Sequence, residues 1–188
     1  MKITGINHTF GKNMVAKCIV KNQLKEKHEA TLYEYDPWNL DDIDEIESSL
    51  NTNSIKPDFY RAGLWSGHTE GRFFALQDDE TKDIVASAEI TRHYAPFGKY
   101  QGDYLLIDEL EGNQGYIDSL TPMIGFIANK GFETNSKNIV SAFRTSEMPQ
   151  LKGYKFKQTD DETWILPKRR FSENINKAEH RNSIEFLA

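Results

Sequence analysis

The stretch from Tyr104 to Phe156 constrains the fold of this chain more than any other. It reads as an apolar strand, a turn containing Gly112 and Gly115, a helix, a second apolar strand, and a short segment closing on Gly153-Tyr154. Leu120, Met123, Ile124, Ile127 and Ala128 recur at the spacing of one buried helix face, and Gly131 suits the C′ position. Pro122 is compatible only with a first turn, which makes Thr121 the expected cap. A strand that feeds a glycine turn and a helix N-terminus leaves backbone N–H groups without intrahelical partners, in a region of positive potential. Such a stretch suits a phosphate.

The chain has 188 residues, 38% of them hydrophobic, enough for one domain with a sizeable core. A net charge of −6 argues against general binding to nucleic acid or an anionic membrane. Cys18 stands alone, which excludes a disulfide framework and a thiolate zinc site. His8, His28, His68, His93 and His180 are scattered, without the close spacing of metal ligands, so no metal is expected. No apolar run is long enough to span a membrane, and Met1 to Gly5 lacks the apolar core of a signal peptide. The expected location is cytoplasmic.

Residues 1–13 read as an irregular arm, and Met14 to Val20 and Ala30 to Tyr35 as strands. After the break at Asp36-Pro37, Leu40, Ile43, Ile46 and Leu50 mark a helix over 40–50 with Asn39 as cap. Its opposite face carries Asp41, Asp42, Asp44 and Glu45, a solvated surface or a docking site for a protein partner. Residues 51–71 are a glycine-rich loop holding Phe59, Tyr60, Leu64, Trp65 and His68. Arg72 to Gln77 and Ile84 to Thr91 form a hairpin, followed by a loop over 94–103 and a strand from Tyr104 to Leu110. Ile139 to Phe143 is the next strand. Tyr154 to Lys157 and Thr163 to Leu166 read as a closing hairpin before a polar tail. This order implies an α/β (α+β) sandwich around a mixed, mostly antiparallel sheet flanked by helices.

Over residues 30–166 the chain resembles the GNAT acyltransferase superfamily. Phe73 to Leu76 and Ile84 to Glu89 resemble that family's second and third strands, and Tyr104 to Leu110 its fourth. Gln114-Gly115-Tyr116-Ile117-Asp118-Ser119-Leu120 sits where the family has its pyrophosphate loop, with Gln114, Gly115 and Leu120 in agreement. Lys130-Gly131-Phe132 fits the end of the following helix, and Leu151 to Phe156 the family's late lysine-leucine-glycine-phenylalanine segment. There are two departures. Ile117 stands where the second glycine is expected, and the slot of the tyrosine that often protonates the leaving thiolate falls near Pro149. The division implied is an arm and extra strand over 1–29, a GNAT-like domain over 30–168 and a C-terminal tail over 169–188.

The resemblance implies transfer of an acyl group from a CoA thioester, most simply acetyl-CoA, to a primary amine. The amine attacks only when neutral, so a base must take its proton. Glu89 is the first candidate by position, with Glu109 and Asp108 second; a carboxylate that points instead to solvent would be inert. Tyr154 is the only nearby phenol for the vacant acid role, but its slot resembles that of a packing aromatic, and packing is the favoured reading. A backbone N–H near Leu110 or Glu111 would stabilise the thioester oxygen. The N–H groups of Gln114, Gly115, Tyr116 and Ile117 would take the pyrophosphate, and Arg144 could pair with a cofactor phosphate. The lost glycine and the vacant tyrosine slot also fit a catalytically degenerate GNAT-like protein that acts through protein–protein contacts.

Overall fold

The computed structural model describes residues 12–35, 72–98, 101–117, 119–133, 138–141, 156–160, 163–167 and 185–186. The helix expected over 40–50, the loop 51–71, and the candidates Arg144 and Tyr154 lie outside them. The described elements are β1 (Asn13–Asn22), β2 (Lys27–Tyr35), β3 (Arg72–Asp78), β4 (Ile84–Ala95), β5 (Gly102–Gly112), β6 (Tyr116–Ile117), α1 (Leu120–Glu133), β7 (Asn138–Ser141), β8 (Lys157–Asp160), β9 (Thr163–Pro167) and β10 (Glu185–Phe186).

All the strands join one sheet in the order β10-β1-β2-β3-β4-β5-β7-β9-β8, with β6 beside β1. Among the described residues every pairing is antiparallel except β5 with β7. That exception follows from connectivity, because α1 carries the chain from the end of β5 back to the start of β7. The fold is therefore the mixed, mostly antiparallel sheet expected, although strands dominate and α1 is the one helix among the described residues.

Alternation along the strands sends Cys18, Leu32, Phe74, Ala88 and Ile107 to one face, where they form a continuous core with Met123, Ile124, Phe126 and Ile127 of α1. Phe74 and Phe126 meet edge to face at 4.9 Å between ring centres. Phe73 and Ala75, on the opposite face of β3, are also buried, with Tyr35 and Ile84 in a second cluster.

Several boundaries differ from the sequence reading. β4 and β5 run on to Ala95 and from Gly102, which shortens the loop expected over 94–103. Backbone pairing from Tyr94–Asp103 to Ala95–Gly102 extends the ladder where the side chains carry no alternating apolar pattern. The helix starts at Leu120, so Thr121 lies inside its first turn and Ser119 holds the cap position. Pro122 then falls within that turn, where its missing N–H has no intrahelical use. Gly131 lies within the last turn instead of beyond it. The closing hairpin begins at Lys157, later than the Tyr154 start expected, because this edge strand is held by backbone bonds to β9 and not by an apolar pattern. In the segment read as a polar tail, Glu185 and Phe186 pair with Lys17 and Ala16 of β1.

Candidate functional site

The site is framed by the last residues of β5. Against β4, the strand pairs from Ala95–Gly102 through to Ala86–Gly112. Against β7, among the described residues, the ladder covers only Tyr104–Asn138 to Ile107–Ser141. The register to β4 shifts between Glu89–Glu109 and Ile90–Ile107, so Asp108 is an extra residue in β5. This bulge allows Ile107 and Leu110, three positions apart, to enter the same core. Unbroken alternation would have sent one of them to the other face.

The bulge and the ladder also set where the β5 amides point. The Asn113 N–H donates to the Val85 carbonyl at 2.8 Å, just beyond the Ala86–Gly112 pair. In an antiparallel ladder this makes 86–112 and 88–110 non-hydrogen-bonded pairs and 87–111 a hydrogen-bonded one. The N–H of Glu111 is thus directed to Ser87. The N–H of Leu110 points off the opposite edge of β5, the edge that, among the described residues, pairs with β7 from Tyr104 to Ile107. Of the two amides considered for the thioester oxygen, that of Glu111 is directed to β4 and that of Leu110 is directed away from it.

Glu89 is half-buried on β4, in register with Glu109 of β5 and one pair from Leu110. Sequence reasoning passed over its neighbour Ser87, which lies two residues earlier on the same face, opposite Glu111. Ser87 is fully buried and its hydroxyl has no hydrogen-bond partner among the described residues. A small polar residue inside the apolar run Ile84 to Ile90 was the available signal.

The turn after β5 is closed largely on itself. The Asn113 side chain donates to the Ile84 carbonyl at 2.9 Å and accepts the Gly115 N–H at 2.8 Å, while the Tyr116 N–H donates to the Asn113 carbonyl. Two of the four amides expected to line a phosphate cup therefore donate within the loop. The Gln23 side chain and amide donate to the carbonyls of Gln114 and Gly115. Ile117, the residue in place of the second glycine, pairs with Lys21 of β1. Gly112 approaches the start of α1 so closely that an added Cβ would lie 2.5 Å from Ser119 Oγ and 3.0 Å from Leu120.

The Tyr116 side chain has a role that its sequence position does not reveal. Its ring is buried, and its hydroxyl donates to Asp78 Oδ2 at 2.8 Å. With that proton committed, Thr81 Oγ1, 3.1 Å from the phenol oxygen, is the donor to it. The other Asp78 oxygen accepts the N–H groups of Glu80 and Thr81, and His28 Nδ1 lies 2.7 Å from Oδ2. Burial opposes the Asp78 charge, but the bonds from Thr81, Tyr116, Glu80 and His28 outweigh it and hold its pKa below the ordinary value of 3.8. The Tyr116 phenol is pushed up, by burial first and by Asp78 next, against the opposing bond from Thr81. Cys18 is pushed up to about 12 by burial and by the charge of Asp79, which leaves it unreactive at neutral pH.

No known family model matches the sequence, and no curated protein does. Solved structures do match. The N-acetyltransferase YhbS from Escherichia coli, in complex with CoA, aligns over 78% of this chain and 84% of its own, with 10% identity and a TM-score of 0.55. FdhC, a nucleotide-linked sugar GNAT, aligns over 84% and 93%, with 10% identity and a TM-score of 0.56. A ribosomal-protein-S5-alanine acetyltransferase from Vibrio fischeri aligns over 73% and 91%, with 11% identity and a TM-score of 0.51. Among the described residues no helix is long and apolar enough to cross a membrane. Similarity at this identity concerns architecture, and on that ground the chain carries the GNAT fold in a divergent form.

Proposed function

We propose that the protein is an acyl-CoA-dependent N-acyltransferase that moves an acyl group, most simply acetyl, to a primary amine. The observation that carries this reading is the end of β5. There the Leu110 N–H points away from β4, off the edge of the strand that faces β7. An amide held in a ladder is a preorganised donor for a thioester oxygen that gains negative charge. The pyrophosphate would lie against Gln114 and the first turn of α1, where Ser119 brings a hydroxyl and the helix dipole is positive. One of the solved structures that matches this chain holds CoA, which supports the same ligand class here.

Glu89 is the proposed base, with Glu109 beside it in register. It takes the proton released as the amine nitrogen bonds the acyl carbon, and the carbon–sulfur bond then breaks. The leaving thiolate takes its proton from Tyr154, the candidate acid, while the proton held by Glu89 is released to solvent and Tyr154 is reprotonated from it.

A second reading has its own observation. The amides of Gly115 and Tyr116 are spent on Asn113, which favours a GNAT-like binding protein without a cofactor. One titration separates the two. CoA and acetyl-CoA at millimolar concentration raise the melting temperature of an enzyme that binds them, since a ligand bound only by the folded state stabilises it. No shift with either would reject the transferase. Given binding, Glu89→Gln is expected to lower turnover by about a hundredfold, the scale of general-base loss, with CoA affinity retained. Unchanged turnover would remove Glu89 from the mechanism.

A further inference from the structure

The cluster of His28, Asp78, Thr81 and Tyr116, with Asp78 and Tyr116 buried at its centre, has no part in the proposed chemistry, yet it sits beside the loop that precedes α1. Its members are far apart in sequence. Tyr116 is 38 residues from Asp78, and His28 is 50. The Asp78 side chain is fully buried. It lies at the end of β3, where its own N–H donates to the Asp83 carbonyl and closes the β3–β4 turn. Tyr116 thus ties the loop to that turn, while β6 and Gln23 tie the same loop to β1.

The loop therefore has anchors on two sides of the sheet. A glycine in this stretch would let the backbone turn freely at the cost of conformational entropy. Here Ile117 pairs as a strand residue, and tertiary bonds restrict the loop. Restricting a binding loop before the ligand arrives lowers the ordering cost of binding.

We propose that Tyr116, Asp78 and His28 are positioning residues for CoA, holding the loop Gln114 to Ile117 so that Gln114 and the first turn of α1 are set to receive the pyrophosphate. This inference rests on the acyl-CoA reading. The Tyr116 hydroxyl is the contact that transmits the position, because it is the side-chain bond from the loop to Asp78. Asp78 is fixed in turn by two turn amides and by His28.

The test is Tyr116→Phe, which keeps the ring and removes the bond. Calorimetric titration of the full chain with CoA should give affinity about fivefold weaker than wild type, equivalent to ~1 kcal/mol. Titration with pantetheine, which has the thiol arm but no pyrophosphate, should be unchanged. A merely structural role for Tyr116 would leave both ligands alike. Should Tyr116→Phe fail to fold, His28→Gln at the edge of the cluster is expected to show the same selective loss at about twofold. If wild type binds CoA and the folded variants bind it equally well, the positioning role is overturned and the transferase reading stands. If wild type itself does not bind CoA, the transferase reading falls and the positioning role falls with it.

Discussion

Asp78 shows how much one carboxylate can organise. Its two oxygens accept from Glu80, Thr81 and Tyr116, with His28 at 2.7 Å. Removing its charge at neutral pH weakens several of these bonds at once, and bonds to a buried ion contribute about 1.5–3 kcal/mol each before losses are shared. Asp78→Asn should therefore cost about 2 kcal/mol at pH 7, read from the urea midpoint. Because the folded pKa lies below the ordinary 3.8, this stability is complete above that value and is lost as pH falls through the depressed one. The gap between wild type and Asp78→Asn should thus narrow when unfolding is repeated near pH 3. A gap that stays constant would mean that shape, and not charge, is what the asparagine loses. The sequence showed Asp78 only as a turn residue and Tyr116 only as a backbone amide. Neither composition nor spacing links positions 28, 78 and 116, because the link is made by the sheet register.

At the level of elements, the residues with strong local pattern were readable and those held by tertiary bonds were not. Phe73 to Leu76 and Ile84 to Ile90 are apolar runs around a charged turn, and they form the expected hairpin. The helix face Met123, Ile124 and Ile127 is fully buried, as its spacing requires. The bulge at Asp108 escaped notice, although two acidic residues between the apolar Ile107 and Leu110 interrupt the alternation there. β8 was expected too early, over Tyr154 to Lys157, because Gln158 and Thr159 are exposed and carry no apolar signal. The junction of β5 with α1 makes a direct prediction. A methyl group at position 112 would meet Ser119 Oγ at 2.5 Å and Leu120 at 3.0 Å. Ser119 must rotate away, and the Leu120 side chain must give by a few tenths of an ångström against the core it packs on. Gly112→Ala should cost about 1–3 kcal/mol, as overpacking does, and should lower the thermal midpoint. An unchanged midpoint would show that the strand and helix have slack between them.

For the molecule as a whole, β1 is integral to the sheet. The sequence reading set residues 1–29 apart as an arm and an extra strand. In the structure β1 pairs with β2 from Asn13–Glu34 to Lys21–Lys27, and it also holds β6 and β10. Ala16, Cys18 and Val20 belong to the main core alongside Leu32 and Leu76. A chain starting at Lys27 would therefore lose part of that core and expose the backbone of β2 as an unpaired edge, a template for association. It would also release β6, one of the two anchors of the loop before α1. The truncated chain should melt well below the full chain and self-associate in sedimentation. Val20→Asp, which places a charge in the same core with the backbone intact, should reproduce the lowered melting. A truncated chain that stays monomeric and melts at the same temperature would show that the sheet closes at β2, and that β1 stabilises nothing beyond itself.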